Sequence, residues 1–190
     1  MKFIIEHLES KLYEWCLIEY AHIAKIVGKQ NLIFTNVKSP KEAIKLRKLG
    51  EVKKESVTKL NLKNSCLLDP KASKLLSPKD KFDYFILGGI LGDFPEQGRT
   101  EKYLTSKLKN VEVRNLTDKQ MSTDTAVLVT KLIATGTPID KIPFLDSPLI
   151  TIKNGDITEE INLPYRYISK DNKPLMSKEL IKYLKKKQDI

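Results

Sequence analysis

The sequence has few of the residues that most often carry metal, redox or nucleophilic chemistry. Its 190 residues include two cysteines, Cys16 and Cys66, and two histidines, His7 and His22. Two isolated cysteines cannot form a disulfide framework or a zinc site, so we interpret both as small buried apolar residues and predict no metal site. A histidine-based triad would also need a nucleophile elbow, and the sequence has none. These absences exclude the commonest hydrolase and metalloenzyme patterns.

Long apolar runs and the common nucleotide-binding motifs are missing too. No stretch approaches the ~20 apolar residues that a membrane-spanning helix needs. Glu6, His7 and Glu9 interrupt the N-terminal apolar stretch too early for a signal peptide, so we expect a cytoplasmic protein. Neither G-x-G-x-x-G after the first predicted strand nor G-x-x-x-x-G-K-[ST] occurs. A nucleotide-like ligand would therefore be bound by a site that uses neither of these two motifs.

Basic residues outnumber acidic ones. The chain has 34 Lys+Arg against 24 Asp+Glu, which gives a net charge of +10 and favours an acidic partner. Only four of the basic residues are arginine, and a lysine ammonium attracts phosphate as a point charge without matching the edges of bases. The Lys-rich surface predicts contact with RNA or a ribonucleoprotein. Genome bias or heat adaptation would produce the same composition.

Apolar periodicity and turn residues divide the chain into alternating strands and helices. Strands are predicted at residues 2–6, 31–35, 65–68, 82–87 and 111–115, and helices at 12–27, 40–49, 101–108 and 123–135. This alternation predicts an α/β fold with a mostly parallel sheet flanked by helices. The basic, weakly patterned residues 51–64 are interpreted as a surface excursion.

The end of the chain has a different pattern. Asn154-Gly155 between β-prone runs predicts a short hairpin over residues 149–161, and a basic helix is predicted to begin at Ser177. We therefore divide the chain into a main domain, residues 1–147, and a C-terminal hairpin and helix, residues 148–190, packed on the same domain.

Three loops follow predicted strands at the edge of the sheet where ligands bind in open α/β folds. The first contains Asp69-Pro70. The second is rich in glycine and lets a ligand approach the backbone. The third, residues 116–125, ends in hydroxyl and carboxylate side chains that are suited to capping a helix. Such loops in one small chain predict a cofactor cleft.

Several motifs, in order along nearly the whole chain, resemble those of the SPOUT-class protein arginine methyltransferase family, whose archaeal members are commonly labelled SAM-dependent RNA methyltransferases. The motifs are IIEH (4–7), EW (14–15), EY (19–20), CLLDP (66–70), KFDYFILGGILGD (81–93), TDKQMSTDTA (117–126) and PYRY (164–167). The region 51–64 and the last twenty residues match poorly. The resemblance implies a trefoil knot in the C-terminal half and S-adenosylmethionine bound within it, chiefly by backbone groups of three loops.

The three loops named above coincide with those that the resemblance implies for the cofactor. The predicted cofactor-binding residues are Leu68, Asp69, Pro70, Gly88, Gly89, Leu91, Gly92, Leu116, Gln120, Met121, Thr123, Asp124 and Thr125.

Four acids are candidates for the catalytic step if the acceptor is an arginine side chain. A guanidinium with a pKa above ~12 has no free nucleophilic lone pair at neutral pH, so carboxylates must hold it and take up its proton. Asp93 and Asp118 are the first candidates, and Glu19 and Glu6 come next. The alternatives are that Asp118 and Asp124 cap a turn and a helix, and that Glu19 lies on a solvated helix face.

The leading hypothesis is methylation of an arginine in a basic, RNA-associated protein, plausibly a ribosomal protein. Two alternatives stay open. One is an RNA methyltransferase of the same fold, acting on rRNA or tRNA, in which an acid such as Asp118 would deprotonate a base or ribose hydroxyl. The other is a non-catalytic RNA- or ribosome-binding module. SPOUT proteins often dimerise through knot helices, but nothing in the sequence indicates the oligomeric state of this chain.

Overall fold

The computed structural model describes residues 1–92, 97–154 and 157–187. Its strands are β1 Lys2–His7, β2 Leu32–Thr35, β3 Glu51–Val52, β4 Ser65–Leu68, β5 Tyr84–Gly89, β6 Glu112–Arg114, β7 Phe144–Asp146, β8 Leu149–Asn154, β9 Ile157–Asn162, β10 Arg166–Lys170 and β11 Lys173–Pro174. Its α-helices are α1 Glu14–Val27, α2 Pro40–Leu46, α3 Thr123–Ala134 and α4 Lys178–Lys187. A π-helical turn, Glu101–Thr105, stands where a longer helix was predicted.

Six strands form one sheet in the order β3-β2-β1-β5-β4-β6, and each pairing in it is parallel. Successive residues of β1 point to opposite faces, so that Ile5 joins one apolar cluster and Ile4 another. Both faces are buried because helices and loops cover them, which explains the continuous apolar runs of these strands. The predicted mostly parallel α/β sheet is confirmed, and its parallel strands bring their carboxyl ends to one edge.

The helices begin and end where the sequence provides the necessary residues. In α2, the side chain of Ser39 accepts a hydrogen bond from the Glu42 amide, and Pro40 occupies the first turn. α1 ends at Gly28, whose φ of 83° favours glycine. The interpretation of both cysteines as buried residues is confirmed, and burial raises the pKa of each thiol to about 12.

The segment 51–64 is more ordered than the sequence indicates. β3 extends the sheet beside β2, and a 3₁₀ turn at Val57–Lys59 follows it. The side chain of Val57 is fully buried, and its amide donates to Glu6 Oε2 at 2.9 Å. A two-residue strand leaves almost no periodic pattern, which is why the sequence did not reveal it.

The C-terminal part contains the predicted hairpin and helix and one feature that the sequence did not reveal. β8 and β9 pair antiparallel from Leu149↔Asn162 to Asn154↔Ile157, and the predicted turn residue Gly155 lies outside the described residues. β7, β10 and β11 form a separate antiparallel sheet. α4 packs against α1 through a cluster that includes Leu180, Leu184 and Trp15. The proposed domain division and the trefoil knot stay predictions.

Candidate active site

A cavity opens at the edge where β4, β5 and β6 end. The loops that follow these three strands supply most of its wall, as expected for an open parallel sheet. The lining residues are Leu68, Asp69, Pro70, Leu87, Gly88, Ile90, Gln97, Arg99, Thr100, Leu116, Thr117, Lys119, Gln120, Met121, Thr123 and Ala126. The wall therefore combines apolar side chains with open backbone and a few polar groups.

The predicted cofactor-binding residues divide into two groups. Those that line the cavity are Leu68, Asp69, Pro70, Gly88, Leu116, Gln120, Met121 and Thr123. Those outside the lining are Gly89, Leu91, Gly92, Asp124 and Thr125. The residues of the second group support the loops through contacts on the side away from the cavity.

Gly88 and Gly89 are neighbours with different surroundings. A Cβ on Gly88, which lines the cavity, would lie 3.0 Å from Ile90 Cδ1. A Cβ on Gly89 would overlap the Tyr20 hydroxyl and lie 2.8 Å from Ile5 Cγ2. Gly89 is therefore required by the packing of α1 on the sheet, whereas Gly88 lies in the cavity wall, where an added methyl group would crowd the side chain of Ile90.

Two contacts brace the glycine loop from outside. Glu9 Oε1 accepts hydrogen bonds from the Leu91 amide at 2.9 Å and from Arg99 Nη1 at 3.2 Å, and Arg99 also donates to the Leu91 carbonyl. The Tyr165 hydroxyl donates to the Gly92 carbonyl at 2.7 Å. Sequence reasoning missed Glu9 and Tyr165, although Tyr165 lies in the PYRY motif.

β10 holds the third loop in place. The Arg166 amide donates to the Gln120 carbonyl at 2.9 Å, and Arg166 also forms an isolated β-bridge with Met121. The Arg166 guanidinium binds both carboxylate oxygens of Asp146, at 2.5 and 2.7 Å, and lies over the Phe144 ring. The C-terminal strands therefore contribute to the site by fixing a loop that lines it.

A buried polar network lies behind the first turn of α3. Asp124 Oδ1 accepts hydrogen bonds from the Ser122 hydroxyl at 2.7 Å and the Thr125 amide at 2.9 Å. Asp124 Oδ2 lies 2.7 Å from His22 Nδ1 of α1. The Ser122 side chain makes no cap to the helix backbone, so Asp124 performs much of that role.

Glu19 lies in the same region and is 5% exposed, which excludes the solvated-face alternative. Its Oε1 accepts a hydrogen bond from Trp15 Nε1 at 2.8 Å. Burial first, and then the negative charge of Asp124, raises the pKa of Glu19 to about 8, while Trp15 and Thr123 act in the opposite direction. The carboxyl is therefore mostly protonated at neutral pH.

The structure separates the four catalytic candidates. Asp93 lies outside the described residues. Asp118 is exposed between Thr117 and Lys119, both of which line the cavity, so it stands at the rim. Glu19 stands behind Thr123, which does line the cavity.

Glu6, the fourth candidate, is bound elsewhere. Its Oε2 accepts from Thr35 Oγ1 at 2.5 Å and from the Val57 amide, and it does not line the cavity. Among the described lining residues the one carboxylate is Asp69, whose oxygens accept from the Lys71 amide at 2.9 Å and Thr105 Oγ1 at 2.5 Å.

Neither a membrane span nor a metal cluster is found in the ranges that the structure covers. Over residues 1–92, 97–154 and 157–187, no helix has the length and apolarity to cross a membrane. Within the same ranges, no three His, Cys, Asp or Glu side chains are grouped so as to hold a metal ion.

Comparison with known proteins gives matches along the full chain. The sequence model of a family described as "Protein arginine N-methyltransferase SFM1-like" matches residues 2–190. The protein arginine N-methyltransferase SFM1 of Saccharomyces cerevisiae is 36% identical to this chain over an alignment of 205 residues. The alignment covers 98% of this chain and 95% of the yeast protein.

Solved structures match the fold. The crystal structure of the yeast arginine methyltransferase SFM1 complexed with SAM has a TM-score of 0.87 at 36% identity, over 100% of this chain and 92% of that one. A dual specific Trm10 from Thermococcus kodakaraensis has a TM-score of 0.58 at 19% identity, over 74% of this chain and 95% of that one. The second likeness concerns the fold alone, and together the two confirm the predicted SPOUT-class fold.

Proposed function

The chain belongs to the SFM1-like family of protein arginine N-methyltransferases, and on that premise we propose that it transfers a methyl group from S-adenosylmethionine to an arginine side chain of a ribosomal protein. The predicted resemblance to arginine methyltransferases is thereby confirmed. The observation that carries the proposal is the cavity built by the loops after β4, β5 and β6.

The cavity suits the proposed cofactor. Solved structures of the yeast relative complexed with SAM, SAH and MTA support the same class of ligand here. Leu68, Leu116 and Met121 give apolar walls on which an adenine ring can pack, and Gly88 keeps space that a side chain would fill. S-adenosylmethionine supplies a methyl group that its sulfonium already activates.

The residues of the chain must position the acceptor and take its proton. A guanidinium needs carboxylates that hold its N–H groups and accept a proton as the methyl group is transferred. We assign this role to Asp118 at the rim and to Asp93, the predicted acid of the glycine loop. Asp69 lies deeper in the wall, and we assign it to binding of the cofactor.

The net charge of +10 supports a substrate that is associated with RNA. A ribosomal protein on its particle offers arginine next to phosphates, and the Lys-rich surface would be attracted to those phosphates. With this substrate, we propose that the reaction takes place in the cytoplasm.

The proposal is tested by incubating the enzyme with methyl-labelled S-adenosylmethionine and ribosomal subunits. We expect the label to resist ribonuclease, to be released by protease, and to be recovered as methylarginine. Asp118→Asn should reduce labelling at least tenfold while leaving the affinity for S-adenosylmethionine within twofold, because Asp118 is exposed outside the cavity wall. Tyr13→Phe, an exposed position on α1's N-terminal side, is the matched control.

RNA methylation remains the second candidate because Arg99 and Lys119 line the cavity in addition to the overall positive charge. These cations could hold a phosphate beside the cofactor. Label that ribonuclease releases completely, together with RNA affinity that falls steeply with salt, would favour this candidate over arginine methylation.

A further inference from the structure

The buried acids Glu19 and Asp124 lie on the far side of the cavity wall and take no part in the chemistry proposed above. Thr123 stands between them and the cavity, because it lines the cavity and also influences the ionisation of Glu19. Asp124 follows Thr123 in the same first turn of α3. A ligand in the cavity would therefore contact the same helical turn that carries Asp124.

Glu19 and Asp124 have little positive charge near them. Asp124 is bound by Ser122, Thr125 and His22, and its charge raises the pKa of Glu19. From β10, Tyr167 is 1% exposed, and within the described part of the chain its hydroxyl has no hydrogen-bond partner. Burial, Asp124 and Glu19 together raise the pKa of this hydroxyl.

The groups that face Glu19 contain one potential cation. They are Asp124 from α3, Tyr167 from β10, Cys16, Tyr20 and His22 from α1, and, through the ring of Trp15, Tyr183 from α4. Across the α3 turn, Arg99 and Lys119 face the cavity itself. Among the described residues, His22 is the basic side chain in contact with Asp124, and it is partly exposed.

We propose that Glu19 and Asp124 are positioning residues that make the cofactor site distinguish the positively charged S-adenosylmethionine from its uncharged-sulfur product, S-adenosylhomocysteine. This inference rests on the proposed function, since it assumes that cofactor in that cavity. A sulfonium behind Thr123 stabilises the ionised form of Glu19 through a poorly hydrated turn. When the methyl group leaves, the positive charge leaves with it, and Glu19 takes up a proton again.

Linkage fixes the direction of the effect. If the sulfonium lowers the pH at which Glu19 ionises, S-adenosylmethionine must bind more tightly as pH rises through that range, and S-adenosylhomocysteine must not. A shift of about half a pH unit corresponds to about a threefold gain in affinity. Both ligands carry the same amino and carboxylate groups, so the ratio of their affinities isolates the sulfonium.

The chain contains its own reporter for this test. Trp15 is its one tryptophan, and its Nε1 donates to the Glu19 carboxyl. Its fluorescence should therefore titrate with Glu19, with a midpoint near pH 8 in the free protein. Glu19→Gln keeps an acceptor for Trp15 but cannot ionise, so the transition should disappear in that variant.

The decisive experiment titrates Trp15 fluorescence with saturating S-adenosylmethionine, with saturating S-adenosylhomocysteine and without ligand, and measures both affinities by calorimetry between pH 6.5 and 9. We expect S-adenosylmethionine to lower the midpoint by at least about half a pH unit and S-adenosylhomocysteine to lower it by less than half as much. The affinity ratio should rise about threefold over the range in the native protein and stay flat in Glu19→Gln.

Two further variants separate this effect from simple loss of structure. Asp124→Asn removes the charge that raises the pKa of Glu19 and should lower the midpoint. His22→Asn keeps a hydrogen-bond donor near Asp124 without the ability to carry charge. It should leave both the midpoint and the melting temperature nearly unchanged, which makes it the structural control for Asp124→Asn.

The outcomes are distinguishable. Binding of S-adenosylmethionine without a change in the midpoint, or an equal change with both ligands, overturns the inference and leaves the proposed function standing. Absence of binding by either ligand, in a protein that melts cooperatively, overturns the cofactor assignment and the inference with it.

Discussion

At the scale of single residues, the burial of Glu19 makes the stability of the fold depend on pH. In the unfolded chain this carboxyl would ionise near its ordinary pKa of 4.5, whereas in the fold its pKa is raised to about 8. The folded state therefore holds a proton that the unfolded state has released, and stability falls as pH rises between these two values. Above about pH 8 the loss of stability is complete and no longer changes with pH.

Glu19→Gln should remove this loss. We expect the variant to be about as stable as the native protein at pH 4.5, and more stable by roughly 4 kcal/mol at pH 8, because the amide stays neutral while it still accepts from Trp15. Urea denaturation at the two pH values measures the difference. A gain of equal size at both values would show that charge is not its cause.

The glycine pair after β5 shows what sequence could and could not predict about the site. The motif GGILG predicts a ligand-binding loop after this strand, and the structure places Gly88 in the wall of a cavity. The motif could not tell Gly88 from Gly89, because the sequence does not show which face of β5 is covered by α1. Burial of Glu19 was hidden for the same reason, since only the packing of α3 and β10 removes it from water.

Gly89→Ala should destabilise the protein by roughly 2 kcal/mol, because the new methyl group would overlap the Tyr20 hydroxyl and crowd Ile5. Gly88→Ala is the matched control. Its methyl group would meet the flexible side chain of Ile90 and make an ordinary contact with Leu104, so a cost below about 1 kcal/mol is expected. Thermal and urea denaturation compare the two, and equal costs would contradict the assignment of the two glycines.

At the scale of elements, the parallel strands were predictable and the C-terminal strands were only partly so. Apolar runs and capping residues gave β1, β2, β4 and β5 to within a few residues. β7, β10 and β11 are two to five residues long; β11 pairs with its neighbour β10, but β7 joins the sheet through contacts distant in sequence. Their function is also non-local, because β10 and Tyr165 hold the loops that line the cavity.

Tyr165→Phe tests this bracing. The change removes the hydrogen bond to the Gly92 carbonyl while keeping the ring, so the glycine loop should lose a fixed conformation. We expect the dissociation constant for S-adenosylmethionine to rise about fivefold, equivalent to about 1 kcal/mol, with little change in melting temperature. Tyr13→Phe, at an exposed position, should leave affinity unchanged. A fivefold loss in both variants would contradict the role of Tyr165.

At the scale of the whole molecule, the positive charge predicts how the enzyme meets its substrate. Lys182 and Lys186 are exposed on α4, which is one of the most basic elements of the chain. Replacing both with glutamate should weaken binding to ribosomal particles several-fold at low salt and reduce the salt dependence of binding. Methylation of a short arginine peptide should be unaffected, because neither residue lines the cavity. Loss of peptide methylation would show instead that α4 supports the site.

The central claim is that the cofactor binds between the three loops at the carboxyl ends of the parallel strands. Calorimetric titration of Gly88→Val with S-adenosylmethionine tests this claim most directly. Valine would place a branched side chain in the cavity wall, at a position where we expect the smaller methyl group of alanine to fit. We expect binding to weaken at least tenfold in Gly88→Val and to be unchanged in Ile44→Ala, an exposed change on α2. Native affinity in a folded Gly88→Val protein would contradict the placement of the cofactor between these loops.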